Sequence, residues 1–159
     1  QVFKLYSDFA KDRSMTMDDG VIEDILKKTN GHAGLVNICG VAIDEYLVNL
    51  PDLQRFDIDH WGNVQNTLLS KMQQYRTFQR LVKDLTGKSE KQVNALSCYR
   101  SRYLGSTSEK FADVNRSSEE YLAALGVLQP EKRDFKTASP LMDSFIRQIV
   151  IPQAYPTAP

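Results

Sequence analysis

Two histidines, two cysteines and one tryptophan are all that this 159-residue sequence holds of those types, and its net charge is zero. His32 and His60 stand apart without paired cysteines beside them, too few soft ligands for a zinc cluster. No nucleophile, base and orienting acid stand out as a set, so the chain by itself is expected to catalyse nothing. Cys39 and Cys98 each fall in an apolar helical pattern and are expected to be reduced, buried thiols, which favours an intracellular setting. No apolar run approaches the roughly 20 residues that cross a bilayer, and the charged start, residues 1–13, lacks the apolar centre of a signal peptide.

What is present is a 42% hydrophobic and 25% charged composition, that of a globular protein with one ordinary domain or two small ones. The charge is unevenly placed: residues 1–50 carry five basic and eight acidic side chains. Between Lys71 and Arg102 eight basic residues meet only Asp84 and Glu90, a pattern that fits either solvated helix faces or a nucleic-acid footprint.

Apolar periodicity predicts helices over about 2–12, 18–29, 32–49, 60–74, 76–86, 90–104 and 118–125. Ser89 with Gln92 and Ser117 with Glu120 read as capping-box starts, and Gly105 and Gly126 as stops. A short strand at 127–129, a turn at 130–133 and a partner strand at 134–138 follow, and Ser139-Pro140 restarts a helix with Leu141, Met142, Phe145, Ile146 and Ile149 on its apolar face. Pro152 and the residues after it read as the end of the structured region. The expected fold is therefore mainly α: a helical bundle over 1–50, a joint at 51–59, a winged helix-turn-helix with a short β-hairpin over 60–152, and a tail at 153–159.

Three motifs are discounted. Leu85 to Ser89 imitates the end of a phosphate-binding loop, but Val82 occupies the place of its first glycine and no strand precedes it. Asp57, Asp59 and His60 read as the cap of a helix rather than a metal site. The sequon Asn115-Arg116-Ser117 means little without a secretory signal.

The most informative run is Asn30-Gly31-His32-Ala33-Gly34, a glycine-punctuated corner that opens an apolar helix. With the stretches 121–128, 138–143 and 150–152, it resembles the lid and winged-helix region that follows the catalytic core of signal-transducing (AAA+/STAND-like) P-loop NTPases. The wording is most similar to Crinkler-type effectors of filamentous microbes. The glycine-x-proline corner of such lids is matched by Gly31-His32-Ala33, with Ala33 where proline is usual, and Leu141-Met142-Asp143 is similar to a Met-His-Asp nucleotide sensor, with Met142 where histidine would be. The resemblance implies a non-catalytic regulatory module coupled to an upstream NTPase core of the same polypeptide, with ATP or ADP and Mg held in that parent and Asn30, Gly31, His32, Ala33 and Gly34 facing the nucleotide. It also implies secretion by a microbe and action in a host nucleus.

The alternative is a DNA-binding winged helix that uses Arg76, Arg80, Lys83, Lys88 and Lys91 with a wing tip of Lys132 and Arg133. Residues 118–125 contain Glu119 and Glu120 but no cation or amide, which argues against base reading by that helix and leaves weak non-specific contact. A protein-interaction surface is a third reading, and no membrane partner is expected.

Overall fold

The computed structural model describes residues 1–103 and 112–156, and these are mainly helical. The chain divides into two units, Gln1–Gln74 and Tyr75–Pro159. The division does not fall at 51–59, because those residues complete the first unit.

In the first unit α1 (Val2–Asp12) leads through a turn, with Ser14 at φ 54, into β1 (Thr16–Met17). Then come α2 (Asp19–Thr29), α3 (Ala33–Leu47), β2 (Arg55–Phe56), α4 (Ile58–Gln65) and α5 (Leu68–Gln73). The strands pair in parallel, Thr16 with Arg55 and Met17 with Phe56. Alternation along so short a ladder sends Met17 and Phe56 into the core, while Arg55 binds both Asp18 carboxylate oxygens at 2.7 and 3.0 Å on the outside. Tyr6, Ile22, Ile25, Leu35, Ile43, Phe56, Trp61 and Met72 are the most deeply buried large side chains of this unit.

Asp57 caps α4 as the sequence indicates. Its Oδ1 accepts from the Asp59 and His60 N–H groups, and His60 Nδ1 accepts from the Asp57 N–H at 3.1 Å. The bond from the His60 amide, with the other contacts of this cap, holds the Asp57 carboxyl below its usual range. The single helix expected over 60–74 is broken instead at Asn66 and Thr67, where the Thr67 hydroxyl donates to the Val64 carbonyl at 2.8 Å. Trp61 is fully buried and its indole N–H donates to Asp24 at 2.7 Å, beside the Lys28–Asp24 ion pair at 2.8 Å.

The second unit runs α6 (Arg76–Thr86), α7 (Glu90–Tyr103), α8 (Ala112–Ala124), β3 (Leu128–Glu131) and β4 (Asp134–Thr137). It ends in α9 (Pro140–Phe145), a π turn (Ile146–Val150) and α10 (Ile151–Ala154). The expected order of three helices and a hairpin is present. Gly87 ends α6, and Ser89 and Gln92 cap α7 reciprocally at 3.3 Å. A Cβ on Gly87 would lie 1.9 Å from Gln92 Oε1, so a larger residue there would push the Gln92 side chain out of its cap. The stop expected at Gly105 lies outside the described residues.

Three expectations are corrected. Ser117 does not start α8, which begins at Ala112; the S-x-x-E pattern occurs inside a helix already under way. Pro130 belongs to β3 rather than to the turn, since a two-stranded ribbon can leave its missing donor on an outer edge, and Lys132 (φ 55) with Arg133 makes the turn. Pro152 lies inside α10 rather than ending the structure. The π turn before it adds a residue per turn, so that Val150 is fully buried in place of Ile149, which is only half-buried.

Candidate functional site

The corner between α2 and α3 is built from backbone that few residues tolerate. Asn30 (φ 50) and Gly31 (φ 74) are successive left-handed residues, after which His32 returns to extended geometry and caps α3. Thr29 anchors the turn from beneath: fully buried, its hydroxyl donates to the Ile25 carbonyl at 2.7 Å and accepts from the Gly31 N–H at 3.2 Å. Residues 30–34 are all exposed. His32 Nδ1 accepts from the Leu35 N–H at 3.4 Å, and the imidazole lies 3.2 Å from where a Gly34 Cβ would be. The structure thus brings all five predicted residues together at the N-terminus of a 15-residue helix, whose first amides lack intrahelical partners and whose dipole is positive there.

Beside this corner α1 and α3 leave a trough that the sequence reading missed. One part, ≈ 310 Å³, is lined by Gln1, Val2, Leu5, Gly31, Ala33, Val36 and Asn37. The other, ≈ 210 Å³, shares Leu5, Val36 and Asn37 and continues past Phe9, Gly40 and Val41 to Asp44, which is paired with Arg13. Leu5 with Phe9 and Val36 with Gly40 are both i,i+4 pairs, the only sequence signal it had. From Ala33 to Asp44 the trough follows α3 for about 16 Å. At its floor the Tyr6 hydroxyl donates to the Val36 carbonyl at 2.7 Å, and Cys39 of α3 is fully buried. Burial raises the Tyr6 pKa, to which an ionised Cys39 would add repulsion, and burial pushes the Cys39 thiol up to about 12, so both are neutral near pH 7.

The basic residues separate into kinds. Arg76, Arg80 and Lys83 form one exposed row on α6, and Lys88 is exposed just past its end. Lys91 lies 4.9 Å over the Tyr121 ring. Lys132 and Arg133 form the hairpin tip between Glu131 and Asp134, and the Arg133 carbonyl accepts from Arg116 at 3.2 Å. Glu119 is 3% exposed, so α8 does not display it to a groove. Met142 is 4% exposed and packs in the core, while Asp143 accepts from the Tyr99 hydroxyl and from Arg147 at 2.7 Å.

Among the described residues no group of three or more His, Cys, Asp and Glu could hold a metal ion, and no helix is long and apolar enough to cross a membrane. Cys39 and Cys98 are both buried and form no disulfide. Compared with family models, curated proteins and solved structures, the chain finds no match.

Proposed function

We propose that the chain is a non-catalytic regulatory module of a P-loop NTPase, its first unit acting as a lid over a nucleotide held by a core elsewhere in the same polypeptide. The observation that supports this is the exposed Asn30–Gly34 corner opening directly onto the trough between α1 and α3. His32 uses the Leu35 N–H and its own carbonyl takes the Val36 N–H at 2.9 Å. The earlier amides of Ala33 and Gly34 are left for an anionic group, which the helix N-terminus favours. Leu5, Phe9, Val36 and Val41 offer an apolar wall for a planar base, and the exposed Asn37 offers donor and acceptor to its edge. The metal ion of such a nucleotide is held by the core. The second unit transmits nucleotide state to a partner, as switching modules do, and action in a host nucleus follows from the same reading and falls with it.

The test is the sequence of the intact gene product ahead of Gln1. A strand, then G-x-x-x-x-G-K-[ST], then a helix is expected, and its absence overturns the proposal. In that protein Asn37→Trp, an exposed position, fills the trough and is expected to weaken nucleotide binding by about tenfold or more; an unchanged Kd removes the trough from the site.

A further inference from the structure

We propose that α6 is a phosphate-binding face through which the second unit holds the backbone of a nucleic-acid strand without reading its sequence. This goes beyond the lid proposal and is independent of it. The helix is sharply two-sided: Phe78, Leu81 and Leu85 are buried, and Arg76, Arg80 and Lys83 recur at i, i+4 and i+7 on the exposed side. At 1.5 Å per residue the row covers about 10 Å, long enough for its three cations to face successive phosphates of a strand.

Five other cations described in this unit are engaged by neighbouring groups, whereas Lys88 just past α6 and Lys132 and Arg133 at the hairpin tip stay exposed outside the row. Arg116 pairs with Glu120 at 3.4 Å and lies 5.3 Å over the Phe135 ring; Arg147 pairs with Asp143 at 2.7 Å and Lys136 with Glu131 at 3.6 Å. Arg100 and Lys91 lie over the rings of Tyr155 and Tyr121 at 3.9 and 4.9 Å. Arg76, Arg80 and Lys83 have no such carboxylate or ring among the described residues. Asp84, the one acid on α6, is half-buried where its carbonyl accepts from the Tyr121 hydroxyl at 3.1 Å.

The chemistry favours a phosphate backbone over a lipid surface. A membrane-bound basic helix sets large apolar side chains beside its cations, whereas those of α6 point into the core and its exposed neighbours are Thr77 and Gln79. Two of the three cations are guanidinium forks, which match phosphate oxygens. Sequence-independence is expected because the side chains described on α8 that could read bases are engaged: Glu119 is buried, and Arg116 pairs with Glu120.

The experiment measures fluorescence anisotropy of labelled single-stranded and duplex oligonucleotides of two unrelated sequences, titrated with the whole 159-residue chain from about 50 to about 200 mM salt. Equal affinity for both sequences is expected, with a slope of log K against log salt of about −2 for single strands and about −2.7 for duplex. The exposed triple variant Arg76→Gln, Arg80→Gln, Lys83→Gln should lose at least tenfold and most of its slope. Lys4→Gln, Lys11→Gln, Lys27→Gln, which removes the same charge from exposed positions of the first unit, should retain both. Any of four results overturns the proposal: no binding by the wild type, binding indifferent to salt, equal losses in both triple variants, or equally tight row-dependent binding to phosphatidylserine vesicles or polyglutamate.

Discussion

Raising pH should loosen the first unit before any surface group explains it. Cys39 is fully buried, and burial pushes its thiol up to about 12. In the unfolded chain the same thiol loses its proton from about pH 8.5 upward. The folded state thus binds more protons across that window, and stability, complete below it, falls as pH rises at about 1.4 kcal/mol per pH unit. By about pH 10.5 Cys39 alone removes about 2 to 3 kcal/mol, and Tyr6, also raised by burial, adds loss of the same sign above about 10. Trp61 makes the measurement local, because it is the sole tryptophan and is buried in the first unit. Urea unfolding followed by its fluorescence under reducing conditions, from about pH 8 to about pH 10.5, should show the midpoint falling. Cys39→Ala should start less stable but lose only the Tyr6 share. A flat wild-type profile, or the same slope in Cys39→Ala, refutes the account of a neutral, desolvated thiol.

Two further outcomes use the same fluorescence. Although burial alone would raise the Asp24 carboxyl, hydrogen bonds from Lys28 and Trp61 and the charges of Lys28 and Lys27 hold it low, so its stabilisation is complete above about pH 4 and disappears as pH falls through the depressed value. Asp24→Asn should cost about 1 to 2 kcal/mol at neutral pH and flatten that acid limb; an unchanged limb would remove Asp24 as its source. Gly31→Ala places a Cβ at φ 74 and should cost about 1 to 2 kcal/mol, whereas Gly62→Ala, in open space within α4, should gain about 0.5 to 1; the reverse order would refute the backbone reading of the corner.

The features legible in the sequence are those decided within one turn of chain. Ser89 with Gln92, Ser139 with Pro140 and the positive φ of Gly31 and Gly126 depend on neighbours three or four residues away, and each lies where its pattern indicates. The capping pattern at Ser117 misleads because a helix interior can carry the same letters. The β1–β2 pair escapes any periodicity, since its strands are two residues long and meet across an interval that local pattern does not span. The π turn is invisible for a different reason: it is chosen by whether Ile149 or Val150 fits the core. The same division applies to the candidate sites. The corner and the cation row are local, but the trough beside the corner exists only once Leu5 and Phe9 of α1 lie against Val36 and Gly40 of α3.

The pairing of Thr16–Met17 with Arg55–Phe56 has a consequence for how this chain leaves the ribosome. Helices α1 to α3 emerge first, yet the ladder, Phe56 and Trp61 that close their core are made later, and at about 5 to 20 residues per second the stretch from Leu47 to Trp61 takes about 0.7 to 3 seconds. During that time Met17 lacks its strand partner Phe56, and Asp24 lacks the Trp61 indole. Nascent chains stalled before residue 55 should therefore engage hydrophobic-binding chaperones, and those stalled well after residue 74 should release them.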